Sequence, residues 1–219
     1  MLRCVLLVAF VVILGGCGVR VDVIADASGP MLIKDTIQVK TSELQVSIRP
    51  SSAPKEEPRV VIVPIRMMHP IENAIDISKS ITWEIWNVIL QNEVFTHVEY
   101  ASNKGVTSLQ EALAYAREKQ ATVLITGVSN SFLDGGSVGT SRVALNLQMY
   151  DVSTGALLWS LHQSGELQAR ERMDYVVLQR QPVLPQNPIG TIIATLTYNM
   201  VQPVKLWRNS RPHFTAESL

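Results

Sequence analysis

Between Ser141 and Tyr150 apolar and polar side chains alternate. Val143, Leu145, Leu147 and Met149 are separated by polar positions that include Asn146 and Gln148. This period of two puts one set of side chains on a buried sheet face and the other on an open one. The run breaks at Asp151-Val152-Ser153-Thr154-Gly155 and resumes from Ala156 to Leu161. Gly155 supplies the positive φ that a tight turn demands, so the segment predicts two antiparallel strands joined as a hairpin.

The flanking sequence changes period. Val60-Val61-Ile62-Val63-Pro64-Ile65 is β-branched and compact enough for a buried strand, with Pro64 marking its end. From about Ile71 to Asn92 the spacing turns helical. Ile71, Ile75, Ile81, Ile85, Val88 and Ile89 lie on one side, opposed by Asp76, Ser80, Glu84 and Asn87. Val94 to Tyr100 suits a strand. Ser108 and Glu111 form a capping box ahead of Leu109, Ala112, Leu113 and Ala116, a second helical stripe. Ala121 to Gly127 is again β-rich, with Gly127 read as relieving a strand end. Gln179 to Gln186 reads as a connection, after which Asn187 caps and Pro188 opens a helix through Ile189, Ile192, Ile193, Leu196 and Met200, with Pro203 expected to stop it. The expected class is α/β in the α+β sense: a mixed sheet of about four to six strands flanked by about three helices. Residues 59–207 would form one domain of roughly 150 residues, enough to bury its own core. Residues 208–219 are a polar tail.

The N-terminus carries a different signal. Arg3 precedes an apolar run from Cys4 to Ile13, which ends in Leu14-Gly15-Gly16-Cys17. A membrane-spanning helix needs about 20 apolar residues, and this run is roughly half that length. It has the layout of a cleaved signal peptide, residues 1–16. Leu14-Gly15-Gly16-Cys17 resembles the lipobox of bacterial lipoproteins, which implies cleavage before Cys17 and attachment of diacylglycerol to its sulfur. In such lipoproteins Gly18, rather than Asp, implies transport to the outer membrane. With Cys4 discarded and Cys17 lipidated, the folded part carries no thiol for a disulfide or a metal. Residues 17–58 read as a lipidated tether, solvated from Ser51 to Pro58. Leu44, Val46 and Ile48 alternate with Gln45 and Ser47 as a short strand on a sheet edge or against another subunit.

A family resemblance rests on the order of these elements and on two stretches, Leu124-Ile125-Thr126-Gly127 and Asp151-Val152-Ser153-Thr154-Gly155-Ala156-Leu157-Leu158-Trp159-Ser160. From about Arg59 to Leu161 the chain resembles the periplasmic domain shared by the curli-secretion channel lipoprotein CsgG, the penicillin-binding-protein activator LpoB, the Pel polysaccharide lipoprotein PelC and the N-terminal domain of TolB. The resemblance implies a non-enzymatic accessory component of a secretion or assembly system of the cell envelope, facing the periplasm from the outer membrane and capable of homo-oligomerisation with an envelope protein partner. An activator of a peptidoglycan synthase, as LpoB is, is the alternative. One departure bears on pore formation. Phe132 to Thr140 is short and Gly/Ser-rich, unlike the strands of about ten alternating residues that build a transmembrane hairpin.

Two sets of residues carry further function readings. Gly135-Gly136-Ser137-Val138-Gly139 matches the nucleophile elbow G-x-S-x-G, with Asp151 and His162 following in the order a lipid-anchored serine hydrolase would use. That elbow turns from a strand into a helix, whereas Ser141 onward alternates like a strand, so glycines linking two strands is the simpler reading and no catalytic residue is assigned. Trp83, Trp86 and Leu90 widen the apolar arc of the long helix beyond what one sheet face needs. They pack either under the C-terminal helix or against another subunit, and Trp159 has the same choice between core and partner. Trp207, beside Lys205 and Arg208, suits lipid headgroups. His69, His97, His162 and His213 lack metal-ligand spacing and no phosphate loop is present, so neither metal nor cofactor is expected. Nineteen basic residues balance nineteen acidic ones, which gives no electrostatic case for nucleic acid.

Overall fold

The computed structural model describes residues 21–24, 31–102, 108–136, 139–168, 173–174 and 178–210. In chain order the elements are β1 (Val21–Ile24), β2 (Met31–Thr36), β3 (Lys40–Thr41), β4 (Gln45–Ile48), β5 (Arg59–Ile62), β6 (Arg66–Met67), α1 (Ala74–Gln91), β7 (His97–Tyr100), α2 (Leu109–Glu118), β8 (Val123–Leu133), β9 (Ser141–Asp151), β10 (Leu157–Leu167), β11 (Met173–Asp174), β12 (Leu178–Val183) and α3 (Pro188–Asn209). Two compact units share them. The smaller unit is a four-stranded sheet of order β1-β2-β12-β11 in which β2 and β12 run parallel. Its β12 lies in the stretch read from sequence as a connection. Pro182 is tolerated there because β11 pairs only with Gln179 and Arg180, leaving the proline end of the strand with β2 as its one neighbour among the described residues.

The larger unit is an eight-stranded mixed sheet of order β3-β10-β9-β8-β5-β7, with β4 beside β10 and β6 beside β8. The α+β class expected from the sequence holds, with a sheet larger than the four to six strands foreseen. The excess comes from the two-residue β3 and β6, too short to show a period, and from β4, whose alternation stands apart from the rest of the domain in sequence. β4 occupies the stretch read as tether, where it pairs with β10 across more than a hundred residues. Ser42 reinforces this junction: its carbonyl accepts from Gln163 Nε2 at 2.8 Å and its hydroxyl accepts from Ser164 N–H at 3.0 Å.

The β9–β10 hairpin forms as its alternation predicts, from Ser141↔Leu167 to Tyr150↔Leu157. Its turn is held by one carboxylate. Asp151 Oδ1 accepts from the Ser153 hydroxyl at 2.5 Å, the Thr154 N–H at 2.8 Å and the Thr154 hydroxyl at 2.9 Å, and Gly155 takes φ +74°. Partial burial pushes the Asp151 carboxyl up, but these hydrogen bonds to its charged form outweigh that and hold it below the usual aspartate value. A depressed carboxyl stabilises the fold above its unfolded value, and the stabilisation is lost as pH falls through the folded one. Asp151→Asn is therefore expected to cost about 1 kcal/mol at neutral pH, by analogy with loss of a helix cap. The gap between variant and parent should close in acid. Thermal melts of both proteins from pH 7 to pH 2 check this, and an unchanged gap at pH 2 would contradict it.

Both sheet faces are covered at the β5 end. Val61, Val63 and Leu124 pack with Ala112, Leu113 and Ala116 of α2 and with Val152. The alternate residues Val60, Ile62, Val123 and Ile125 are equally buried on the opposite face, which carries α1 and α3. Helix α2 starts where Ser108 accepts from Glu111 N–H at 3.2 Å, and α3 where Asn187 accepts from Gly190 N–H at 2.8 Å. α3 runs through Pro203 instead of stopping there. Its last turns are pinned from outside: Val204 is buried, Lys205 Nζ donates to Asn92 O at 2.7 Å, and Arg208 reaches Glu93 O at 3.1 Å. These contacts offset the hydrogen bond that the proline removes.

α1 also departs from its expected stripe. Ile75 is 71% exposed, whereas Ser78 and Thr82 are buried among Ile81, Ile85, Val88 and Ile89. Their hydroxyls have a backbone task. Ile65 N–H donates to Thr82 Oγ1 at 2.9 Å, the Ser78 hydroxyl donates to Ile65 O, and the Thr82 hydroxyl donates to Ser78 O at 2.7 Å. The strand end after Pro64 thus has its polar groups satisfied inside the core.

Candidate interaction surface

β7 is one edge of the larger sheet, and α1 lies along it. By strand alternation Val98 and Tyr100 face α1, while Glu99 faces α2 and meets Lys119 at 2.7 Å. Glu99 raises the Lys119 ammonium above its usual value, by hydrogen bond and then by charge. On the α1 side three rings cluster. Trp83 and Trp86 have centroids 4.8 Å apart at 37°, and each lies 6.2 Å from Tyr100. Trp86 Nε1 donates to Val98 O at 3.3 Å and the Tyr100 hydroxyl donates to Lys79 O at 2.9 Å, so two of the rings are fastened to the backbone. Burial raises the Tyr100 hydroxyl's pKa, which keeps it a donor at physiological pH. Trp83 remains 48% exposed and Leu90, two helical turns further on, 38%. A hollow of about 390 Å³ adjoins, lined in part by Leu90, His97 and Val98.

The opposite edge of the sheet presents β4, whose four residues are all exposed, Val46 and Ile48 at 41% each. Between β4 and the end of α3 runs a groove of about 640 Å³, walled by Val46, Arg49, Pro50, Pro203 and Leu206 and floored by Trp159 and Trp207. Trp159 is buried, its ring edge-on to Trp207 at 6.1 Å, and its N–H finds no acceptor among the described residues. Trp207 donates to Ser52 O at 2.6 Å, an intramolecular use of the residue assigned to lipid headgroups from sequence. The spacing of Trp83 and Trp86 identifies the aromatic stripe. The groove has no such signal, because its two walls are about 150 residues apart in the chain.

The elements required of a serine hydrolase do not assemble. Ser137 lies outside the described residues, as do Cys17 and His213, but the flanking elements are β8 and β9, strand to strand with no helix for an oxyanion. Gly139 N–H donates to Gly135 O at 2.8 Å and Gly136 takes φ +60°, the marks of a tight connection. His162 pairs with Asn146, five residues along β9 from Asp151, about 17 Å away at 3.4 Å per residue. Asp151 is committed to its turn. Among the described residues no group of three or more His, Cys, Asp or Glu side chains is placed to hold a metal, and no helix is long and apolar enough to cross a membrane.

A mixed sheet with α1 and α3 on one face, α2 on the other and, among the described residues, free strands at both edges defines an α+β domain. No family model and no curated protein matches the chain. Among solved structures it is similar to the PelC dodecamer from Paraburkholderia phytofirmans, with a TM-score of 0.51 at 18% identity over 77% of this chain and 96% of that one. A variant of that PelC matches at 0.49 and 16% identity, over 77% and 98% of the two chains. The LpoB C-terminal domain from Salmonella enterica matches at 0.31 and 14% identity, over 55% and 87%. The fold is thus that of the PelC-like group to which the sequence motifs pointed. Identity this low speaks to the fold alone.

Proposed function

We propose that this chain is a lipid-anchored, periplasm-facing accessory protein of the outer membrane, non-enzymatic, which works as a homo-oligomer within an envelope secretion or assembly system. The observation that carries the reading is the likeness to a PelC that is itself a dodecamer, over most of both chains. The lipobox-like Leu14-Gly15-Gly16-Cys17 supports the anchor. The half-exposed Trp83, over rings fastened to β7, supports a protein contact, since large aromatic residues with one open face are enriched where binding energy concentrates.

The test is the mass of the full-length protein extracted in mild detergent, read by light scattering. A multiple of the chain mass is expected. Trp83→Ala should lower that mass toward the monomer while costing the fold about 1–3 kcal/mol, since half the ring is in water and the rest packs on Trp86 and Tyr100; circular dichroism of the variant checks that it stays folded. A monomeric parent at high concentration would sink the oligomeric reading.

A further inference from the structure

The two free edges of the larger sheet fit each other. β7 has a strand neighbour on one side only among the described residues, and so does β4. β7 runs parallel to β5, β5 parallel to β8, β8 antiparallel to β9, β9 antiparallel to β10 and β10 antiparallel to β4. β4 therefore points opposite to β7. If a second copy is placed beside the first by rotation about an axis along the strands, its β4 meets β7 in the antiparallel sense, the pairing with straight, closely spaced hydrogen bonds. Both strands are four residues long.

Side chains select the register. The apolar residues of β7 on the α1 face are Val98 and Tyr100, and Val46 lies on the α3 face of β4 because it lines the groove beside Trp159. Both helices occupy the same sheet face, so Val46 belongs opposite Tyr100; a bulge between Val46 and Ile48 turns Ile48, which pairs with Ser160, to the other face. Above the seam a projecting ring faces a hollow. Trp83 stands half-exposed at the β7 edge, and the groove of about 640 Å³ opens beside β4 on the same face, walled by Pro203 and by Leu206, itself 71% exposed.

We propose that copies of this chain join head to tail, β7 of one pairing antiparallel with β4 of the next, with Trp83 of the first seated in the groove of the second. The proposal rests on the homo-oligomeric reading above and specifies its interface. Each copy uses one edge as donor and the other as acceptor. Such a heterologous contact builds a ring when the rotation closes, and it covers the free edges of β4 and β7 in every copy.

Cysteine trapping in the full-length lipoprotein tests the arrangement. Its native cysteines are Cys4 and Cys17 alone, and the parent serves as the control for both. The double variant Val46→Cys/Tyr100→Cys places thiols opposite each other across the seam on the helix-bearing face, within the span a disulfide accepts. On non-reducing gels it should give a ladder extending beyond the dimer and collapsing on reduction, while each single variant stays at the monomer position. Val46→Lys, a charge on an exposed edge residue, should release monomers that keep the parental circular dichroism, with the melting temperature falling only as far as loss of association requires. Dimers from either single variant would show like edges meeting, and overturn the proposal. So would a Val46→Lys protein that keeps the parental mass. A parent that is itself monomeric would instead remove the homo-oligomeric reading on which the proposal stands, so the two failures are distinguishable.

Discussion

Gly127→Ala is expected to destabilise the protein by about 2–4 kcal/mol, more than other single-methyl additions to the sheet, lowering its melting temperature by roughly 5–15 °C. Gly127 sits in the interior of β8, and a Cβ there would lie 2.6 Å from the backbone oxygen of Asn146 on β9, 3.1 Å from Leu147 Cδ2 and 3.3 Å from Ile65 Cγ2. The two side chains have some freedom to move. The carbonyl has little, because Asn146 belongs to a strand that pairs with β8 on one side and β10 on the other. Relief therefore requires the sheet itself to spread at its centre, where Leu145, Leu147 and Met149 are fully buried. Urea or thermal denaturation of the purified chain measures the effect, and a melting temperature within a degree or two of the parent would show that the strands yield more readily than this packing allows. The glycine's role is close approach in mid-strand, not the relief of a strand end expected from the sequence.

Cys17→Ala is expected to abolish fatty-acid incorporation entirely and with it recovery of the protein in the outer-membrane fraction. The argument comes from the lipobox-like sequence, since Cys17 lies outside the described residues. Each buried methylene of an acyl chain contributes about 0.8 kcal/mol to membrane retention, so a thiol carrying diacylglycerol holds the chain where a methyl group cannot. Without a lipidated sulfur the leader should also stay uncleaved, giving a precursor larger by residues 1–16. Metabolic labelling with palmitate, followed by membrane fractionation, reads both effects. Label persisting on the variant, or a processed form in the outer membrane, would remove the lipid anchor from the proposed function.

The parts of the fold legible in the sequence are those whose causes are local. Alternation over Ser141 to Tyr150 with Gly155 in the turn specifies the β9–β10 hairpin, and Ser108 and Asn187 mark helix starts because a cap and its target lie three residues apart. The illegible parts depend on remote partners. β4 is a four-residue strand whose alternation shows at Leu44 to Ile48, but its partner β10 lies more than a hundred residues away and no local signal names it. Pro203 would end an isolated helix, but Val204, Lys205 and Arg208 find partners that keep it wound. Ser78 and Thr82 look like solvated residues until Ile65 occupies them. The candidate surface divides the same way. Trp83 and Trp86 stand out by spacing on one helix, whereas the groove beside Trp159 exists only once the ends of β4 and α3 meet.

The paired hydroxyls under α1 also have a mechanical consequence. Thr82 and Ser78 grip both polar groups of Ile65, and Trp83 is the next residue along the same rigid helix. Ile65 in turn lies between β5 and β6, both of which pair with β8. A pull on the indole of Trp83 is therefore transmitted through two side-chain links to the backbone joining β5 to β6, and whatever holds that ring from outside also braces the segment beneath it.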